Sequence, residues 1–362
     1  MRVLFLVDGK IGDKGGGGVF FRIYQNIPML RRLGLEAEVS PSKPSKYYFP
    51  EWIPRNKLWG RFILYFYMFP MVINRFWACL KSLKYDVVFL YRSLLIGGNF
   101  PFLEFFLKKV LRKKIVFDFD DAIFTLSKSY YRKIRRIVTM SDGVIVGNNY
   151  LREFASKYNK RVIVIPGTVD TNRYFPKKNV KKKEIIIGWI GLYSNFPYLE
   201  VMSDVLRNLC EKYPNVRVKV VGRNFHRLSL PGVRTILKEW SFSEETKDVQ
   251  TFDIGIMPLP NNEWSQGKCG GKLLVYLACG LATISSPVCS STEIVQDGMN
   301  GFLASTKAEW EEKLSRLIEN ESLRESLGQA GRKTVKESYS VEANAPKMNK
   351  FLQKIYKNRY RN

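Results

Sequence analysis

Short apolar runs, rich in β-branched and aromatic residues, alternate along the chain with longer stretches of helical periodicity. Val3–Val7 is the first run; a glycine cluster and an amphipathic stretch ending near Leu33 follow it. Asp86–Tyr91, Lys114–Phe119, Gly143–Val146 and Val162–Ile165 continue the series. A second series comprises Glu184–Ile190, Val216–Val221, Ile254–Pro258 and Ala282–Ser285. Strands that alternate with helices predict parallel sheets built from βαβ units. The series restarts after Pro176 and the polar run Lys177–Lys183, which reads as a linker. The expected architecture is therefore α/β: an N-terminal Rossmann-like domain over 1–176 and a C-terminal one over 177–341. A last helical pattern, about 342–362, either packs back on the first domain or lies as a surface helix. Ligands in such sheets bind beyond the carboxyl ends of the strands, so the expected site is the crevice where the two sheets face each other.

Length agrees with this division, since 362 residues exceed one ordinary core. Five widely spread cysteines and one histidine, His226, support neither a zinc site nor a disulfide framework, and a reducing cytosol is expected. The apolar run after Met1 is too short for a signal peptide and reads as a strand. The net charge of +26 is uneven. Residues 1–178 hold 32 Lys and Arg against 13 Asp and Glu, the remainder 27 against 20. Aromatic residues concentrate in the same half, from Trp52 to Phe106. Such a surface suits anionic lipid headgroups or other polyanions. No stacking motif or nucleic-acid module accompanies the charge, so a specific nucleic-acid partner is not expected. Phe62–Ile73 is an unbroken apolar run of 12 residues, short of the roughly 20 that span a bilayer. Two readings remain for it and for Phe102–Lys114: peripheral contact with a membrane interface, or a buried core helix.

Four segments carry candidate chemistry. Gly15–Gly18 opens a helix, and its bare amides suit a phosphate or sugar; a plain loop is the alternative. Asp118, Asp120 and Asp121 end a hydrophobic strand. Carboxylates there can bind sugar hydroxyls, act as a base towards an acceptor hydroxyl or hold a divalent cation; helix capping by Asp120 or Asp121 is the structural alternative. Gly191, Ser194 and Asn195 follow the first strand of the second series and form either an anion cradle or a tight turn. The most informative segment runs Glu263–Gly280. Lys268 and Lys272 flank Gly270 and Gly271 at an expected helix start, where cations oppose the helix dipole. Two ammonium groups beside open amides suit a diphosphate. Glu293 then either accepts from ribose or sugar hydroxyls or caps a helix.

In order, Val164–Asp170, Ile187–Gly191, Asp253–Leu259, Lys272–Gly280 and Glu293–Gly301 resemble the glycosyltransferase group 1 family (family 4) of the GT-B superfamily. Asp118–Phe124 (DFDDAIF) resembles one divergent branch of it. The resemblance implies two Rossmann-like domains and a donor held mostly by the second. It implies transfer of a sugar from a nucleotide-diphosphate donor, with retention and without a metal or other cofactor, to a glycan or lipid-linked acceptor. By the same resemblance Asp118, Asp120 and Asp121 are the catalytic candidates. The donor-binding candidates are Gly17, Gly18, Gly191, Ser194, Asn195, Lys268, Gly270, Gly271, Lys272 and Glu293. The family's two glutamates, eight positions apart, are replaced by Gly267 and Val275. That departure leaves a second reading, a non-catalytic GT-B protein that binds a nucleotide, a membrane or a partner enzyme. The expected location is cytoplasmic, with peripheral membrane contact.

Overall fold

The computed structural model describes residues 1–9, 17–42, 58–95, 99–177 and 183–357. Within the helix Leu58–Lys81, side chains are described from residue 69 onward. Gly15, Gly16, the linker positions 178–182 and the side chains of Phe62–Met68 lie outside the described residues.

Six strands, β1 (Arg2–Val7), β2 (Glu36–Pro41), β3 (Val87–Tyr91), β4 (Lys114–Phe119), β5 (Gly143–Val146) and β6 (Val162–Val164), form a parallel sheet in the order β2-β1-β3-β4-β5-β6. Six more, β7 (Ile185–Ile190), β8 (Val216–Gly222), β9 (Thr235–Glu239), β10 (Ile254–Met257), β11 (Ala282–Ser285) and β12 (Phe302–Leu303), form a second in the order β12-β11-β10-β7-β8-β9. All neighbours pair in parallel. The nine runs read from the sequence all become strands. Three further strands, β2, β9 and β12, were not expected, and each lies at a sheet edge.

Burial explains the interior strands. β3 and β5 are buried along their whole length, and β1 from Val3 onward. A strand covered on both faces reads as a continuous apolar run. Phe5 and Phe89 stand in register on adjacent strands, with ring centroids 4.8 Å apart. In the second sheet, Trp189, Val218, Val220 and Ile254 share a buried cluster with Leu206, Leu209, Trp310 and Leu314 from the flanking helices.

Of the described residues, one compact unit comprises those up to Ile165 together with Ala345 onward, and the second runs Pro166–Asn344. The division thus precedes the expected boundary at 176. Residues 166–176 pack within the second unit: Val169 bridges Ser340, and the Tyr174 hydroxyl donates to Glu245 at 2.6 Å. The tail of the last helix, Val341–Lys357, belongs to the first unit. Phe351 and Ile355 close on Gly143, and Asn349 donates to the Leu33 carbonyl at 3.3 Å.

Gly328, within the helix Glu321–Thr334, shows how closely the second unit is packed. A Cβ there would stand 2.0 Å from the carbonyl oxygen of Gly280, a backbone atom that cannot rotate away. Overpacking of this kind costs about 1–3 kcal/mol. Gly328→Ala is expected to lower the urea midpoint accordingly, and an unchanged midpoint would show that the contact relaxes freely.

Candidate active site

Each sheet has one point where its strand order reverses. In the first sheet it lies between β1 and β3, in the second between β7 and β10. Connections there leave in opposite directions, which opens a crevice at the strand ends.

Beside the first reversal, Tyr91 and Asp118 lie at the carboxyl ends of β3 and β4, and Arg92, Asp120 and Asp121 follow them. The three aspartates have different environments. The Asp118 side chain is fully buried, and both of its oxygens accept from the Arg22 guanidinium, Nε at 3.1 Å and Nη2 closer still. A carboxylate so enclosed cannot take a proton from a substrate, and its expected catalytic role becomes a structural one. Asp120 Oδ1 accepts from the Tyr91 hydroxyl at 2.9 Å and from Arg92 at 2.7 and 3.0 Å. Burial pushes this carboxyl up, but the charges of Arg92 and Arg22 and these hydrogen bonds outweigh it, so its pKa lies below the ordinary value. Asp121 accepts from Arg92 Nη2 at 2.6 Å. Its side chain is 21% exposed, against 9% for Asp120 and 0% for Asp118, which makes it the most accessible of the three.

Arg92 joins this group and lies 3.8 Å from Asp8 as well. It adopts the left-handed backbone region at φ 59°, a conformation that costs a non-glycine residue energy and recurs at functional sites. Gly17 and Gly18 open the helix Gly17–Arg22 here. A Cβ on Gly18 would stand 2.4 Å from the Tyr91 hydroxyl and 2.7 Å from Asp120 Oδ2, so the glycine admits the close approach of these groups. The structure therefore groups Gly17 and Gly18 with the aspartates. Among the described residues, no three His, Cys, Asp or Glu side chains are placed to hold a metal ion.

The second reversal assembles the lysine segment. Gly270 takes the left-handed conformation at φ 67° and caps the helix Gly271–Ala278 without a side-chain hydrogen bond. Lys272 is the second residue of that helix, where the unpaired amides of the first turn carry partial positive charge. Its Nζ lies 4.1 Å from the centroid of the Trp189 ring at the end of β7. Among the described residues no carboxylate pairs with it. Burial of the half-covered side chain, reinforced by the charge of Lys268, pushes its pKa down to about 7. The Lys268 Nζ lies 5.3 Å from the Trp264 ring centroid. The arrangement suits a compact, multiply charged anion, which would relieve both effects.

Several residues that sequence reasoning did not single out hold this geometry. The Tyr276 hydroxyl, one turn beyond Lys272, accepts from the Ile190 amide at 2.9 Å and ties the helix to the end of β7. The Ser290 hydroxyl donates to the Lys268 carbonyl at 2.9 Å, and the Cys289 thiol donates to it too. Cys289 itself has φ 56°. Ser286 accepts from the Leu259 amide at 3.0 Å and locks the loop after β10 to that after β11.

Gly191 acts differently from the cradle read in the sequence. Its amide donates to the Val221 carbonyl at 3.0 Å and is thus spent on the backbone. A Cβ there would meet Trp189 at 2.6 Å and Lys272 Nζ at 2.7 Å, so the glycine makes room for that pair. Ser194 is exposed and Asn195 half-buried on the turn Tyr193–Asn195. Glu293 is exposed on the short helix Ser290–Ile294, whose N-cap is Cys289 without a side-chain cap. Gly267 ends the short helix Glu263–Gln266, and Val275 is 2% exposed in the core. An acidic side chain at 275 would be buried, which accounts locally for valine there.

Comparison with known proteins bears on the fold and the family. Residues 184–320 match the model of the family described as "Glycosyl transferases group 1". An uncharacterised glycosyltransferase of Methanocaldococcus jannaschii is 23% identical over 331 residues, covering 80% of this chain and 81% of that protein. Among solved structures, sucrose-phosphate synthase of Thermosynechococcus elongatus superposes with a TM-score of 0.73 at 14% identity, over 99% of this chain and all of that one. Anabaena HepE, solved in complex with UDP and glucose, gives 0.70 at 14% identity, over 98% of this chain and all of that one. The fold is that of the GT-B glycosyltransferases.

Two measurements test the assignments. Asp118→Ala removes the carboxylate that neutralises the buried Arg22, and is expected to cost about 3–5 kcal/mol of stability. Asp121→Ala, at a half-exposed pair, should cost no more than about 1 kcal/mol; equal losses in the two would contradict the division of roles. The lowered Lys272 pKa gives a pH signature. Between about 7 and the ordinary lysine value of 10.5 the unfolded chain binds the extra proton, so this group makes the fold more stable as pH rises through that window. Lys272→Met should therefore stabilise the chain near neutral pH, with the gain fading towards the upper end. Parallel urea curves for both proteins across the window would remove the proposed burial of the ammonium.

Proposed function

We propose a mechanism for this chain from what it is, a GT-B glycosyltransferase carrying the group 1 domain over residues 184–320: it transfers a sugar from a nucleotide-diphosphate donor whose phosphates bind at the start of the helix Gly271–Ala278. The observation that carries this reading is the Lys268–Lys272 pair. Lys272 lies in the first turn of that helix, held on Trp189 without a carboxylate partner among the described residues, and the charge of Lys268 is close enough to disfavour its ammonium. A diphosphate offers the missing counter-charge. As the glycosidic bond to the donor breaks, the leaving diphosphate gains negative charge. Ammonium groups already in place stabilise that charge more in the transition state than in the ground state. Gly270 and Gly271 leave the first-turn amides open to the same oxygens, and Glu293 and the Ser194–Asn195 turn are the proposed contacts for hydroxyls of the donor.

In the first unit, Asp121 is the proposed partner of the acceptor hydroxyl, with Arg92 and Asp120 fixing its position. We propose that transfer proceeds with retention and without a divalent cation, the lysines supplying the charge that a metal would otherwise bring. The acceptor is proposed to be a glycan or a lipid-linked sugar, and the reaction to take place in the cytosol, where the five free thiols stay reduced. The similar Anabaena protein was solved with UDP and glucose, so UDP-glucose is the first donor to try.

A donor present at about 100 times its dissociation constant stabilises the fold by about 2.7 kcal/mol. A thermal-shift screen of UDP- and GDP-sugars should find one such donor, and NMR of the product should show the donor's anomeric configuration kept, with EDTA leaving turnover unchanged. Lys272→Ala is expected to lower kcat/KM by about a hundredfold, the scale of losing one preorganised charge donor. Full turnover in that variant would end the proposed role of the lysine.

A further inference from the structure

The helix Leu58–Lys81 presents two apolar faces. Met71, Arg75, Ala78, Cys79 and Ser82 recur at helical spacing and are buried. Arg75 secures this face by donating to the carbonyls of Ser40, at 3.1 Å, and Val7. The opposite stripe should be polar in a helix of an ordinary globular surface. Instead it consists of Phe69, Ile73, Phe76 and Trp77, which are 63, 40, 41 and 64% exposed.

The stripe continues onto a neighbouring segment. Phe76 stacks on Phe106 with centroids 5.4 Å apart. Phe106 lies between Phe105 and Val110, 41 and 60% exposed, and Phe102 reaches 70%. Phe100 packs against both Phe102 and Phe105, at 4.8 and 5.5 Å. Contiguous aromatic surface on this scale marks a binding face.

Charge identifies the occupant. Lys81 ends the long helix and pairs with Glu38, while Lys84 just beyond it and Lys109 and Arg112 at the end of the second segment are exposed. Between residues 69 and 113 the only acids are Asp86 and Glu104. Glu104 is 1% exposed and turned inward, accepting from the Leu94 amide at 2.8 Å and Ser93 at 3.0 Å. Asp86 is half-buried and accepts from the Arg2 amide at 2.8 Å. The patch is thus an aromatic face with a basic border. No helix among the described residues is long and apolar enough to cross a membrane.

We propose that this face docks the first unit on an anionic lipid bilayer. Phe69, Ile73, Phe76, Trp77 and Phe102 enter the boundary between headgroups and acyl chains, while Lys84, Lys109 and Arg112 contact lipid phosphates. Aromatic rings are favoured at that depth, and each basic side chain near an anionic surface adds attraction that salt screens. The docking does not depend on the sugar-transfer chemistry, and the donor's thermal shift in solution reports on that chemistry separately.

The test is co-sedimentation of the full chain with vesicles of phosphatidylcholine alone or mixed with phosphatidylglycerol. The mixed vesicles should bind the chain, and added salt should weaken the binding. Phe76→Ser with Trp77→Ser should reduce partitioning by about tenfold or more, the expected effect of withdrawing two rings from the interface. Lys109→Glu with Arg112→Glu should reduce it by about tenfold on the mixed vesicles. All four side chains are exposed, and an unchanged donor thermal shift confirms that each variant is folded. Equal partitioning of wild type and both variants would overturn the proposal. So would a wild-type chain that ignores vesicles but sediments as a dimer that the Phe76/Trp77 variant dissociates, since the face would then belong to a protein partner.

Discussion

The proposed chemistry depends on one electrostatic constraint: the Lys272 ammonium sits at the positive end of a helix with the charge of Lys268 close by. Such an arrangement opposes folding, and the chain supports it from several directions. Trp189 offers its π face to Lys272, Gly191 leaves the space for that contact, and Tyr276 pins the helix to the strand that carries the tryptophan. The Cys289–Ser290 turn holds the backbone of Lys268. Each of these contacts fixes a cation in place before any anion arrives, so little reorganisation is left for the reaction itself.

The first unit treats charge in the opposite way. At its reversal point two arginines are enclosed by carboxylates: Arg22 by Asp118, and Arg92 by Asp120 and Asp121 with Asp8 nearby. Adjacent aspartates on one strand end therefore have separate duties. One is sealed into the core as a brace, one orients the arginine, and one keeps an accessible edge.

The interior of both sheets was legible in the sequence because a strand covered on both faces has to be apolar throughout. The edge strands were not. Glu36–Pro41 and Thr235–Glu239 place charged and half-exposed residues on a sheet border, and Phe302–Leu303 is too short to leave a pattern. The lysine–glycine segment was legible since its chemistry is local, with cations and bare amides within a few residues of each other. The partners that define the site were not, since Arg22 meets Asp118 across 96 positions and Tyr276 meets Ile190 across 86. Nothing in the triplet of aspartates told which one would be sealed. That followed from an arginine on a distant helix.

The return of the last helix to the first sheet has a consequence for biosynthesis. The second unit is nearly continuous in the chain, whereas the first cannot close over Gly143 until Phe351 and Ile355 are available. Domains usually complete themselves in the order in which they leave the ribosome. Here the first sheet has to wait for residues made only after the whole second unit, so it emerges with an uncovered apolar face that chaperones can hold in the meantime.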